Sequence, residues 1–145
     1  MDAKVEEYLK QTIESDRELV DSNYSVFTDT DEFDAMTPIE QMLLIALLGC
    51  LGFLKYDISP QYKIGDKRVD FLIRDTNGQS SVIIECDGHD FHEKTKKQAT
   101  SDKRRDRELK MLGHTVLRFT GSEIWNNPMS CATEVWAFLT KDSNG

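Results

Sequence analysis

Arg68-Val69-Asp70-Phe71-Leu72-Ile73 and Ser81-Val82-Ile83-Ile84-Glu85-Cys86-Asp87-Gly88 decide how this chain reads. Both runs are apolar and β-branched enough to be strands. Between them lies Asp75-Thr76-Asn77-Gly78, and Asn-Gly is the strongest short hairpin signal. Pairing the two strands brings Asp70, Glu85 and Asp87 towards one spot. Glu85 and Asp87 stand two apart, so they share a face of their strand. An unpaired charge at Asp70, inside an apolar run, would be expensive. Three carboxylates on neighbouring strands repel one another unless protons or a cation intervene. A hard divalent cation such as Mg²⁺ is the usual occupant of such a cluster. A strand-end cluster satisfied by Lys67, Arg68 and water is the bland alternative.

Upstream, Thr37-Pro38-Ile39-Glu40 reads as a sharp helix start. Thr37 is the cap, Pro38 suits the first helical position, and Glu40 completes a capping box. The following Met42-Leu43-Leu44-Ile45-Ala46-Leu47-Leu48 is apolar nearly all round and predicts a buried helix, with Gly49 and Gly52 allowing close packing or an end. Gln61 to Ile64 reads as a short strand that turns at Gly65-Asp66 into the Asp70 strand. Further upstream, apolar residues from Val5 to Val20 recur at helical spacing and predict an amphipathic helix over 3–21. Residues 22–36 are polar and acidic and read as a linker.

Downstream, a charged helix over about 93–112 ends at Gly113, and His114-Thr115-Val116-Leu117-Arg118-Phe119 alternates as a strand. Ser122 to Trp125 opens a helical turn. A last helix, about 129–140, is expected to pack Val135, Trp136, Phe138 and Leu139. The helix linking the third strand to the fourth implies a crossover. The resulting expectation is an α/β domain over 37–141, with a four-stranded mixed sheet flanked by helices in the order α-β-β-β-α-β-α. An acidic N-terminal helix and linker (1–36) precede it, and a short tail (142–145) follows.

The chain has 145 residues and a formal net charge of −8. Its distribution matters more than its sum. Residues 1–40 hold 12 acidic side chains against 3 basic ones, while residues 92–112 hold 8 basic against 4 acidic. The basic run directly follows the carboxylate strands. Lys96, Lys97, Lys103, Arg104 and Arg105 are its candidate nucleic-acid contacts, because Lys and Arg neutralise phosphate charge. A solvated helix face laced with salt bridges, such as Asp102 with Arg105, is the competing reading. The acidic arm either packs on the domain or folds over the basic helix.

No apolar run is long enough to span a membrane. The start lacks the basic-then-apolar pattern of a signal peptide. Three cysteines without paired spacing suit a reducing cytoplasm. Cys86 suits a small buried hydrophobe better than a nucleophile, and a zinc site from Cys86, His89 and His92 lacks a fourth ligand. His89 and His92 follow the carboxylates, and His92 is the candidate for proton transfer. Trp125 belongs either to the core or to a base-stacking surface.

With these pieces in order, the chain resembles the PD-(D/E)XK, or restriction-endonuclease-like, nucleases, and among them the small very-short-patch-repair-like branch of bacterial and phage proteins. The matching pieces are Thr37-Pro38-Ile39-Glu40, Val69-Asp70-Phe71, Ile84-Glu85-Cys86-Asp87-Gly88 with His92, Asp102, Arg105 and Leu109, and Gly113 to Phe119. The resemblance covers about residues 37–127. It implies Mg²⁺-dependent hydrolysis of nucleic acid, with Mn²⁺ as a substitute. Asp70 and Glu85 would be the metal-binding acids, the Cys86 carbonyl a further ligand, and Glu40 the helix glutamate that reaches the site. Asp87 departs from the pattern, which has a lysine there. The cationic role then falls to a second metal, to His92, or to Lys97, Gln98 or Lys103. The expectation is a metal-dependent endonuclease acting on DNA, with RNA open, as a homodimer or with a larger targeting partner. A non-catalytic nucleic-acid-binding or protein-interaction module on the same fold is the alternative.

Overall fold

The computed structural model describes residues 1–15, 21–78, 80–87 and 95–141, with residues 21–23 described by backbone alone. Four strands form one sheet in the order β1-β2-β3-β4: Tyr56–Ile64, Lys67–Asp75, Ser81–Asp87 and Val116–Thr120. β1 with β2 and β2 with β3 are antiparallel, and β3 with β4 is parallel. A parallel neighbour cannot be reached by a tight turn, so the chain crosses over through a helix. That helix is α5, Lys96–Met111. The expected four-stranded mixed sheet between helices is therefore what forms.

α4 (Pro38–Leu51) is the helix against which the sheet is built. Its capping box is complete: Thr37 Oγ accepts from the Glu40 N–H, and Glu40 Oε1 accepts from the Thr37 N–H at 3.2 Å. Nine of its residues are buried, Gln41 among them, held by donation from Nε2 to the Phe33 carbonyl at 2.9 Å. Each fully buried Leu or Ile contributes about 1.5–3 kcal/mol, which outweighs the entropy of ordering the helix. Gly49 serves the close packing: a Cβ there would meet Thr12 Cγ2 at 3.1 Å. Gly52 ends the helix with φ +78°. Replacing Thr37 by Ala removes the cap and is expected to cost about 1 kcal/mol. A melting temperature lower by roughly 2–4 °C is the result to look for.

The N-terminal region differs from expectation. The first helix, α1, spans Ala3–Ser15; the rest of the stretch expected to be helical, residues 16–20, lies outside the described residues. Residues 22–36 are not a linker. They form α2 (Asp21–Thr28) and α3 (Asp31–Ala35). Their polarity misleads because only a few residues anchor them: Tyr24, Phe33 and Met36 are buried in the same cluster as α4 and Val5 of α1. The arm thus packs on the α4 side of the domain, not over α5.

β1 is longer than the four residues expected, because Pro60 sits on an edge strand where its missing N–H costs nothing. The β2–β3 connection is also longer than a two-residue turn. Asn77 N–H is held by Asp75 Oδ1 at 2.8 Å, Gly78 takes φ +73°, and the Asp75 N–H still donates to the Ser80 carbonyl. α6 (Gly121–Asn126) and α7 (Pro128–Thr140) close the α4 face, with Ile124, Cys131, Ala132, Val135 and Leu139 inside. Trp125 packs against this core with Lys4 Nζ 4.3 Å from its ring. Trp136, expected inside, is 47% exposed, because its position on α7 turns outward. The other face of the sheet is thinner: Val69, Leu72 and Ile83 pack on Leu109 of α5. No described helix is long and apolar enough to cross a membrane.

Candidate carboxylate site

Register places the acidic residues. β2 pairs with β3 so that Phe71 faces Ile84, and one further step sets Asp70 opposite Glu85. Glu85 in turn lies beside Arg118 of β4. On the other side, Gln61 falls between the pairs Pro60–Phe71 and Tyr62–Val69, opposite Asp70. One row across all four strands therefore reads Gln61, Asp70, Glu85, Arg118.

Asp70 and Glu85 are the pair the structure brings together. Asp70 Oδ2 accepts the Cys86 backbone N–H at 2.7 Å, which ties the end of β2 to β3 just beyond the last regular pair. Burial, and after it the charge and hydrogen bond of Glu85, push the Asp70 carboxyl up to about 7, against the pull of the Cys86 N–H and of Arg105. Glu85 is buried, and Arg105 of α5 closes on its Oε1 with Nε at 3.1 Å and Nη2 at 3.0 Å. The same Nη2 donates to the Arg68 carbonyl. A guanidinium forked onto one carboxylate and one carbonyl fixes the tilt of α5 over the sheet.

Glu40 approaches from the start of α4. Its Oε1 is occupied by Thr37, and its Oε2 accepts from Gln61 Nε2 at 2.8 Å. The Cys86 thiol is held far above its usual range, by burial first and then by the charges of Asp70, Glu40 and Glu85. The charges of three carboxylates thus act on one thiol, which is no nucleophile here. The capping role and the approach to the site coexist in Glu40, as its place in the first turn allows.

Asp87 does not join them. Its Oδ1 takes Arg118 Nη1 at 3.0 Å, while Arg118 Nη2 reaches Asp106 Oδ1 at 2.7 Å. Burial pulls the Arg118 guanidinium down, but Asp106 and Asp87 together outweigh it and hold it above its usual value. The sequence expectation of three carboxylates at one spot is corrected to that extent: two meet, and the third is drawn off by a cation on the neighbouring strand. Among the described residues no group of three or more His, Cys, Asp or Glu is placed to hold a metal ion. Lys67, the bland partner considered for the cluster, turns instead to Glu108 at 2.8 Å and Asp66 at 3.3 Å.

The chemistry of the donor set nonetheless fits a hard cation. Mg²⁺ commonly takes one or two carboxylates and keeps its waters. Asp70 and Glu85 supply two, and no N–H or hydroxyl of the described residues donates to their second oxygens. The upward shift of Asp70 comes first from burial and next from the neighbouring Glu85, both of which disfavour its charged form.

α5 begins at Thr95, whose hydroxyl caps it in a second capping box with Gln98. Lys96, Lys97, Lys103, Arg104, Arg107 and Lys110 are all exposed, at spacings that make one broad outward face. Arg105 is the exception among the candidate nucleic-acid contacts, since it turns inward to Glu85. His89 and His92 lie outside the described residues. Gln61, Arg105 as a carboxylate partner, and Arg118 were not found as site residues from sequence. Nothing local marks Gln61, and only the register reveals that Arg118 stands beside Glu85.

A mixed four-stranded sheet between helices, with an Asp–Glu pair on adjacent strands, is consistent with a restriction-endonuclease-like protein. The family model REase_MTES_1575, of a restriction-endonuclease-like family, matches residues 47–139, and the chain belongs to that family. No curated protein and no solved structure matches the chain. Glu40 lies before the matched segment, whereas Asp70, Glu85, Arg105 and Arg118 lie within it.

Proposed function

We propose that this protein is a metal-dependent endonuclease that hydrolyses phosphodiester bonds of DNA. The observation that carries the reading is the Asp70–Glu85 pair: Glu85 is buried, Asp70 is half-buried beside it, and burial first, then the charge of Glu85, push the Asp70 carboxyl up. Carboxyls shifted by burial and a specific charged neighbour cluster at functional sites. Membership of a restriction-endonuclease-like family supports nuclease chemistry. The likeness to the very-short-patch-repair-like branch rests on Thr37 to Glu40, Val69-Asp70-Phe71, Ile84 to Gly88 with His92, Asp102, Arg105 and Leu109, and Gly113 to Phe119.

Asp70, Glu85 and the Cys86 carbonyl would hold Mg²⁺, with Mn²⁺ as a substitute, and the ion supplies an acidified water and neutralises charge on the phosphate. The protein's own residues do the rest. The Cys86 N–H aims Asp70, Arg105 aims Glu85, and Glu40 adds negative potential from the helix start. His92 is the proton carrier in this reading. The outward cations of α5 grip the backbone on either side, which lets a net acidic chain approach a polyanion.

Lys103→Ala and Arg104→Ala are each expected to weaken DNA binding similarly for all sequences. Each should also lower the slope of log affinity against log salt by about 1. An unchanged slope would remove α5 from the interface.

The decisive experiment is cleavage of supercoiled plasmid and of a labelled single strand in Mg²⁺, Mn²⁺ or EDTA, beside Asp70→Asn and Glu85→Gln. Metal-dependent cutting lost in both variants supports the reading. A second reading, a nucleic-acid-binding module without catalysis, is favoured by one observation: Asp87 stands in the family's lysine position and is paired with Arg118. It predicts DNA binding that is indifferent to EDTA and to Asp70→Asn, with no cutting in any metal.

A further inference from the structure

Gln61 is the one non-glycine residue among those described with a left-handed backbone, at φ +51°. It lies in the body of β1, where a strand has no need of it. Left-handed backbone in a side-chain-bearing residue costs energy and persists where surroundings over-determine it. Three surroundings converge here. Gln61 stands opposite Asp70, at the only interior gap in the β1–β2 ladder. Its amide donates to Glu40 Oε2 at 2.8 Å, so it joins the edge strand to the start of α4. The sheet also changes faces there: Phe71 and Ile73 pack on the α4 side, yet Val69, two residues earlier, packs with Leu109 of α5. A cleft of about 340 Å³ opens beside it, lined by Glu32, Met36, Glu40, Gln61 and Arg68.

We infer that Gln61 is a positioning residue of the carboxylate site. Its left-handed turn opens the ladder at Asp70, which leaves that carboxylate able to reach the Cys86 N–H instead of lying along a regular strand. Its amide holds the second oxygen of Glu40, and so fixes where that charge stands relative to Asp70 and Glu85. The strain in Gln61 is offset by the rest of the fold and retained for the aim of the site. This inference rests on the metal-site reading above.

Gln61→Gly and Gln61→Met test it. Glycine accepts the left-handed backbone but has no amide; methionine keeps the length of the side chain and also lacks the donor. Two quantities are measured on each folded protein: the melting temperature in EDTA, and Mn²⁺ affinity by titration of the metal alone, with cleavage rate recorded beside them. Gln61→Gly is expected to melt at or up to a few degrees above the parent, since relief of strain offsets the lost hydrogen bond. Both variants are expected to bind Mn²⁺ roughly tenfold more weakly, the usual scale for a residue that orients metal ligands. A lower melting temperature with Mn²⁺ affinity unchanged overturns the inference and makes Gln61 a strand residue only. A parent that binds no Mn²⁺ overturns it as well. If the parent binds Mn²⁺, and the variants bind it more weakly, but no form cuts DNA, the endonuclease reading fails while the role of Gln61 stands.

Discussion

Asp70→Asn is expected to abolish cleavage and to leave a protein more stable than the parent at pH 8. The amide oxygen of asparagine can still accept the Cys86 N–H that Asp70 Oδ2 now accepts at 2.7 Å. What disappears is a charge in a largely buried place beside the buried Glu85. In the proposed function Asp70 is a metal-binding carboxylate, and its loss would remove several kcal/mol of transition-state stabilisation, so activity should fall by at least about 10³-fold. Removing the repulsion should add roughly 0.5–2 kcal/mol of stability at high pH, as relief of a functional site commonly does.

The pH dependence gives this its sharper form. The folded Asp70 carboxyl is pushed up to about 7, against about 3.9 for an unfolded aspartate. Between those values the native state holds a proton that the unfolded chain has released. Protonation of Asp70 therefore favours the fold fully below about pH 4, and this contribution is lost as pH rises through about 7. The asparagine variant has no such term. Melting curves in EDTA from pH 5 to pH 8 should show the variant gaining on the parent as pH rises. A gap that stays constant, or a variant less stable at pH 8, would sink the account of Asp70.

Arg105→Met carries the second large effect, and it falls on the fold. Arg105 is the cation on Glu85, whose side chain is only 8% exposed. Methionine keeps much of the length and apolar body of the arginine but leaves a buried carboxylate without a partner and next to Asp70. Breaking a buried pair from one side costs about 3–5 kcal/mol. Arg105 is itself 30% exposed, so the lower end of that range applies. A drop in melting temperature of roughly 6–12 °C is expected. The double variant Arg105→Met with Glu85→Gln should recover much of it, with a coupling of about 2 kcal/mol in the cycle. Additive losses would mean that Arg105 stabilises by packing α5 and not by answering Glu85.

The two outcomes together describe a site held between opposing charges. Arg105 is paired with Glu85, whereas burial pushes the neighbouring Asp70 towards the neutral form. Arg118 pairs with Asp87 on the neighbouring strand. A cation entering the site would displace the proton of Asp70, so its affinity is expected to rise with pH up to about 7 and then level off.

Much of this was legible in the order of residues. Val69 to Ile73 and Val82 to Glu85 can hardly be other than neighbouring strands. Thr37-Pro38-Ile39-Glu40 is a capping box by spacing alone, and the following apolar run leaves no polar face for solvent. Those features depend on local geometry and on period, which sequence carries directly. The reading of residues 22–36 as a linker failed because composition averages over a segment, while burial is decided residue by residue. Phe33 and Tyr24 are two apolar side chains among acids, and their partners lie far along the chain in α4 and beyond.

The site divides along the same line. Asp70 and Glu85 were visible because charge inside an apolar strand is conspicuous wherever it occurs. Their counter-charges were not, because Arg105 and Arg118 are separated from Glu85 and Asp87 by 20 and 31 residues and meet them only through the crossover of α5 and the pairing of β4. A basic run looks the same from its sequence whether each cation faces phosphate or carboxylate; helix rotation sent Arg105 inward and left Arg104 and Lys103 outside. The sequence by itself determined the strands, the caps, the buried helix and the paired acids, since these follow from backbone preference and the cost of burying charge. Only the tertiary structure decided that two carboxylates meet and the third is drawn away, and that an edge-strand glutamine stands strained across from Asp70. Register and packing at long separation set those contacts, and no local preference encodes them.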